Sequence, residues 1–133
     1  MPNFIFNHLA LSVKDVDESI AFYQKIFRFK EIKNTASESK TRWLSLSEGQ
    51  QLHLIPRPDA IIKTNKAVHF AFTTSDLNLF IKHIKALDIE FSDWHDNPNK
   101  IYIRNDGIKQ IYFQDPNGYW VEVNDDDDDD DAK

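Results

Sequence analysis

Residues 8–13 alternate, with Leu9, Leu11 and Val13 apolar and His8, Ala10 and Ser12 between them. A period of two places these sets on opposite faces of a strand. From Val16 the period changes: Val16, Ile20, Tyr23 and Phe27 recur at helical spacing and form one apolar stripe. Asp15, with Glu18 three residues on, has the spacing of a capping box and marks the helix start. The same succession returns at residue 69. His69-Phe-Ala-Phe-Thr aligns without gaps on His8-Leu-Ala-Leu-Ser, so Ala71 falls on Ala10, Thr73 on Ser12 and Asp76 on Asp15. Ser75 or Asp76 caps a second helix whose stripe is Leu77, Phe80, Ile81, Ile84 and Leu87. An internal repeat of strand then helix organises the chain.

Three further strands are expected after each helix. In the first half they fall near 29–35, 41–47 and 51–55, with a turn at Glu48-Gly49. In the second half they fall near 89–94, 109–114 and 119–124, the last two joined by Asp115-Pro-Asn-Gly118. Segment 95–107 reads as an insertion closed by the turn Asn105-Asp106-Gly107, and Arg57 to Lys66 as the linker between halves. The expected fold is α+β: two βαβββ modules, about 4–56 and 67–124, forming a curved mixed sheet with helices on the outer face.

Composition fits one globular domain over residues 1–124, long enough to bury a core. The net charge of −6 comes from Asp125 to Asp131; without these seven aspartates the charge is about +1. A run of like charges repels itself, so 125–133 is expected to be a disordered acidic tail. The near-neutral body lacks a basic stripe interleaved with aromatics, which argues against nucleic acid. Residues 1–8 lack a basic stretch followed by an apolar one, and no apolar run approaches the roughly 18 residues of a membrane span. A cytoplasmic location is expected. The absence of cysteine excludes disulfides and thiolate ligands.

The candidate chemistry lies on the strand face turned away from the helices. His8 and His69 open equivalent strands. In 51–55, Leu52 and Leu54 point to the core and His53 to the other face; in 119–124, Val121 and Val123 point to the core, while Glu122 shares a face with Trp120 and Asn124. Each is unpersuasive alone, since a single strand histidine is usually structural and a single glutamate usually a surface residue. Their matched places in a repeat make His8, His53, His69 and Glu122 candidate ligands of one metal ion. Imidazole with carboxylate suits Zn, Ni, Mn or Fe. His83 and His95 read as helix-surface and loop residues, and Trp43, Trp94, Trp120 and Phe113 as core or pocket wall.

The repeated His-φ-Ala-φ-Ser…Asp…Phe-Tyr, the second His69-Phe-Ala-Phe and the ending Phe113-Gln-Asp-Pro-Asn-Gly-Tyr-Trp-Val-Glu122 resemble the vicinal oxygen chelate superfamily. That group holds glyoxalase I, bleomycin-resistance proteins, fosfomycin-resistance enzymes and extradiol dioxygenases. The resemblance covers residues 4–124 and is closest in pattern to glyoxalase I, whose four ligand places map onto His8, His53, His69 and Glu122. It implies a metal-dependent lyase or isomerase acting on a small oxygen-chelating substrate. The ion would act as Lewis acid and Glu122 as both ligand and proton-transfer base. It further implies a homodimer with the metal site shared between subunits, His8 and His53 from one chain and His69 and Glu122 from the other. His53 stands where glyoxalase I carries glutamate, and Ser12 where some of those enzymes carry an arginine for glutathione. Ala10 replaces the threonine of the fosfomycin pattern. Two other readings stay open: a non-haem iron dioxygenase using His8, His69 and Glu122 with His53 as a nearby base, and a resistance-type protein that binds a small molecule without turnover.

Overall fold

The structure, a computed structural model, describes residues 1–126. The chain divides into two compact units, one from Met1 to Ile62 and one beginning at Lys63. The order is β1 (His8–Val13), α1 (Val16–Phe27), β2 (Lys30–Ile32), β3 (Arg42–Ser45) and β4 (Gln51–Pro56) in the first unit. In the second it is β5 (His69–Thr73), α2 (Leu77–Ala86), β6 (Tyr102–Ile103), β7 (Lys109–Gln114) and β8 (Trp120–Asn124). Each unit holds its own four-stranded mixed sheet, ordered β1-β4-β3-β2 and β5-β8-β7-β6. The first and last strands of each unit run parallel, and the other pairs are antiparallel. The α+β class read from the sequence is the class observed.

Both helices begin where the sequence signals them. The Asp15 carboxylate accepts the Glu18 N–H, and Asp76 accepts the Leu79 N–H, satisfying orphan donors of the first turn. The apolar stripes turn inward: Ile20, Tyr23 and Ile26 are buried with Leu11, Val13, Leu44, Leu52 and Leu54 in the first unit. Leu77, Ile81 and Ile84 are buried with Ile111, Phe113, Val121 and Val123 in the second. Burying such side chains is worth about 1.5–3 kcal/mol each, which fixes strand register because a one-residue slip would expose the whole set.

The hairpin at Asp115–Gly118 forms as expected. The Gly118 N–H donates to the Asp115 carbonyl at 3.0 Å, and Asp115 Oδ1 accepts from the Asn117 and Tyr119 N–H groups. Gly118 has φ +88°, a conformation other residues rarely adopt, and an added Cβ would stand 3.4 Å from Thr64 Oγ1.

One expected strand is absent. Residues 89–94 form no strand, and only Ser92 makes isolated bridges, to Tyr112 and Pro98. Asp93 is the cause. Its carboxylate accepts the His95 and Asn97 N–H groups and the Asn97 side-chain amide, which curls the chain into a loop. Asp96 and Asn99 complete that loop with positive φ. The strand that joins β7 comes instead from within 95–107, as the short β6.

At the C-terminus, Asp125 exchanges hydrogen bonds with Lys109, and the Asp126 N–H donates to Asn124 Oδ1. The rest of the expected acidic tail, 127–133, lies outside the described residues. No helix among the described residues is long and apolar enough to cross a membrane.

Candidate metal site

The four sequence-selected residues lie as two pairs, one in each unit. In the second unit, β5 and β8 are parallel neighbours with His69 opposite Trp120 and Ala71 opposite Glu122. His69 and Glu122 therefore stand on one face, diagonal to each other, and Ala71 leaves room between them. His69 Nε2 lies 3.2 Å from Glu122 Oε1. His69 Nδ1 lies 2.8 Å from the Lys66 carbonyl, an acceptor only, so Nδ1 carries a proton. In the neutral ring Nε2 is then a bare lone pair facing a carboxylate oxygen. Two acceptors so placed need either a proton on Nε2 or a cation beside both.

Glu122 is only 5 % exposed, and its other oxygen is held by two donors. Gln110 Nε2 donates to Oε2 at 3.0 Å and Asn124 Nδ2 at 2.7 Å. The Gln110 amide is oriented in turn by the Tyr112 hydroxyl, which donates to Gln110 Oε1 at 2.9 Å. Burial, with the Glu122 carboxylate nearby, pushes the Tyr112 hydroxyl well above its usual pKa, so it remains a donor. The network leaves Oε1 facing His69 Nε2. Such hydrogen bonds orient ligands in metal sites.

Lys66 ties the surrounding loop to this pair. Its ammonium donates to Asp93 O and Asp96 Oδ1, both at 2.7 Å, and to Ser92 Oγ at 3.2 Å. It also lies 4.9 Å from the Trp120 ring and 5.1 Å from the Tyr112 ring. The same residue's carbonyl sets the His69 tautomer. Beside it a cavity of about 300 Å³ is lined by Phe91, Ser92, Tyr112 and Trp120 among others.

The first unit handles its pair differently. Gln51, His53 and Ile55 share the face of His8, Ala10 and Ser12, and Trp43 lies directly across from His53. The three rings form a stack. His53 lies 4.2 Å from Trp43 at 4° and 4.1 Å from His8 at 16°. His8 Nδ1 contacts Asn7 Oδ1 at 2.7 Å, and His53 Nε2 contacts Gln51 Oε1 at 2.8 Å. Burial, with His8 adding, pushes the His53 imidazole below its usual pKa and favours the neutral ring.

Neither unit by itself gathers three or more His, Asp or Glu side chains into one cluster among the described residues. The pair in the second unit still fits a metal. Two donors each about 2.1 Å from one ion, at octahedral or tetrahedral angles, stand roughly 3.0–3.4 Å apart. The His69–Glu122 separation of 3.2 Å falls in that range. His8, with Nδ1 hydrogen-bonded and Nε2 left as acceptor, is arranged as metal-bound histidines are.

Sequence reasoning placed Asn124 on the face of Glu122 but passed over Gln110, Lys66 and Asn7. Gln110 had a visible signal: it alternates with Ile111 and Phe113 and sits in register with Asn124. The reach of Lys66 across 26 to 30 residues had none.

Two βαβββ units, each ending in a strand parallel to its first, with imidazole and carboxylate groups off the helix side, define a class of fold. The chain belongs to the Glyoxalase/Bleomycin resistance protein/Dioxygenase superfamily, whose family model matches residues 5–123. It is 27 % identical over 126 residues to "Glyoxylase I 4" of Arabidopsis thaliana, a match covering 88 % of this chain and 68 % of that protein. The crystal structure of the fosfomycin resistance protein FosX from Listeria monocytogenes superposes with a TM-score of 0.74 at 25 % identity, covering 96 % of each chain. A point variant of FosX in complex with Mn(II) and 1S,2S-dihydroxypropylphosphonic acid superposes at 0.75 and 24 % identity, covering 96 % of this chain and 95 % of that one.

Proposed function

We propose that the chain is a metal-dependent enzyme of the glyoxalase I type, a lyase or isomerase acting on a small substrate with adjacent oxygens. The observation that carries this reading is the facing of His69 Nε2 and Glu122 Oε1 at 3.2 Å, with the other side-chain polar atoms of the pair already engaged. His69, Glu122 and His8 would hold a divalent transition ion, Zn, Ni, Mn or Fe, and His53 is the fourth candidate. Bound there, the ion supplies Lewis acidity toward the substrate's oxygens.

The chain's own groups then divide the work. Gln110 and Asn124 hold one Glu122 oxygen still, so the other is presented in a fixed orientation, from which, as base, it would take a proton from the substrate and return it to the product. The Lys66 carbonyl keeps His69 in one tautomer. Trp120 and Tyr112, on the face of Glu122, offer apolar walls that exclude water from the carboxylate. The subunit-sharing arrangement belongs to the same proposal: a homodimer in which His8 and His53 of one chain act with His69 and Glu122 of the other.

Likeness to FosX over nearly the whole of both chains supports a second reading, turnover of a small phosphonate antibiotic. Ala10, in place of the threonine of the fosfomycin pattern, counts against it.

Elemental analysis after reconstitution tests the common core. About one ion per chain is expected, and chelation should lower the melting temperature, because an ion bound only to the folded state stabilises it. Metal content near zero with Zn, Ni, Mn and Fe alike would overturn the reading. The identity of the metal, followed by assays with 2-oxoaldehyde hemithioacetals and with fosfomycin, then separates the two substrates.

A further inference from the structure

His53 occupies the place that the sequence pattern makes a fourth ligand, but its ring geometry suits another part. An imidazole lone pair lies in the ring plane, and a metal bound to it lies near that plane, about 2.0–2.1 Å from the nitrogen. The rings of His8 and His53 are 4.1 Å apart and within 16° of parallel. Rings stacked face to face and near-parallel direct their in-plane lone pairs side by side and not toward one point. Within this stack one imidazole can serve a given ion, and two cannot.

Each ring has one nitrogen on an amide oxygen, so which ring serves follows from access. His8 Nδ1 is turned to Asn7 Oδ1, which leaves Nε2 bare and the ring exposed. His53 is only partly exposed, its Nε2 is engaged by Gln51, and Trp43 covers its far face at 4.2 Å and 4°. The register explains the stack. His53 sits opposite Ala10 on β1, and a methyl there leaves room for the His53 ring to lean onto His8, two residues along the same face. Trp43, directly opposite on β3, closes the other side.

We infer that His53 is a positioning residue: it stays off the metal and, as the middle ring between Trp43 and His8, fixes the plane in which His8 presents Nε2. The inference rests on the metal site proposed above.

Four variants test it in the full-length protein: His53→Phe, His53→Ala, His8→Ala and Glu122→Gln. Mn(II) and Co(II) affinities are measured by titration, with the Co(II) visible spectrum as a report on the ligand set and thermal unfolding as a check on folding. His53→Phe keeps the ring and removes both nitrogens. It should bind within about threefold of wild type with an unchanged Co(II) spectrum, whereas His53→Ala should bind about tenfold more weakly, the loss usual for groups that orient a ligand. A loss in His53→Phe as large as in His8→Ala, with an altered spectrum in folded protein, would make His53 a ligand and overturn the inference. Wild-type binding by His53→Ala would show that the stack positions nothing and would overturn it equally. If His8→Ala and Glu122→Gln also bind normally, the metal site itself is wrong, and the role of His53 falls with it.

Discussion

In the first unit the nitrogen that opens β1 is steadied by stacked rings; in the second, the equivalent nitrogen on β5 is steadied by hydrogen bonds. His8 leans on His53 and Trp43, and Asn7 is its polar partner. His69 is fixed by a backbone carbonyl and faces a carboxylate that is itself held by Gln110 and Asn124. The two strands share His and Ala at matched places, with apolar or hydroxyl residues exchanged for their like elsewhere, so the difference comes from what lies beside them. A buried carboxylate is costly unless its oxygens are paired, and Glu122 therefore brings a polar network with it. An imidazole can be neutral and half apolar, so aromatic faces suffice for His53. One half of the repeat is thus built around a charge and the other around a stack of rings.

The comparison breaks most sharply at Glu122. Glu122→Gln keeps the shape and lets an amide N–H donate to His69 Nε2, so the metal-free protein should unfold at the same temperature or higher. Metal affinity should fall more than about 100-fold, beyond the range for orienting groups. Calorimetry of the metal-free form with equilibrium dialysis of the loaded one checks both halves, and undiminished affinity would remove Glu122 from the site. Gln110→Leu probes the same network one step out. It should weaken metal binding about 10–100-fold. Leaving the Tyr112 hydroxyl without its acceptor should also cost about 1–3 kcal/mol of stability.

A smaller effect is expected at the loop that packs beside this network. The Asn97 amide, together with backbone N–H groups, holds the Asp93 carboxyl below the usual carboxylate range. A lowered folded-state pKa gives stability that is complete above the unfolded value, about 3.9, and lost as pH falls through the lower folded value. Asp93→Asn should therefore melt below wild type at pH 7, with the gap closing as pH approaches 3. A gap constant across that range would show that the charge of Asp93 contributes nothing. Residues 92–96 also receive the Lys66 ammonium, so metal affinity near neutral pH should drop modestly in the same variant.

The smallest effect concerns the chain end. A protein ending at Asp126 should match the full chain in melting temperature, because the hydrogen bonds of Asp125 and Asp126 remain. One ending at Asn124 loses the Lys109 pairing and the N–H that orients Asn124. It should be less stable by roughly 0.5–1.5 kcal/mol. Equal melting of the two truncations would show that Asp125 and Asp126 support nothing.

The sequence by itself determined the repeat, both helices with their Asp caps, the hairpin at Asp115–Gly118 and the face that each candidate ligand occupies. These are consequences of period and local chemistry: alternation sends His8 and His69 away from the core, and capping needs only three residues of context. It misjudged 89–94, where a β-like alternation of Ile89 and Phe91 was overridden by the three donors that converge on Asp93, and it missed the short β6 inside 95–107. Tertiary structure alone decided the rest. That His53 would lie flat against His8 depends on Ala10 and Trp43 flanking it from two other strands. That Glu122 would turn one oxygen to His69 depends on Gln110 and Asn124 reaching the other. Spacing along a chain gives the side of a strand on which a residue stands, but the plane of a ring and the partner of an oxygen are set by neighbours distant in sequence.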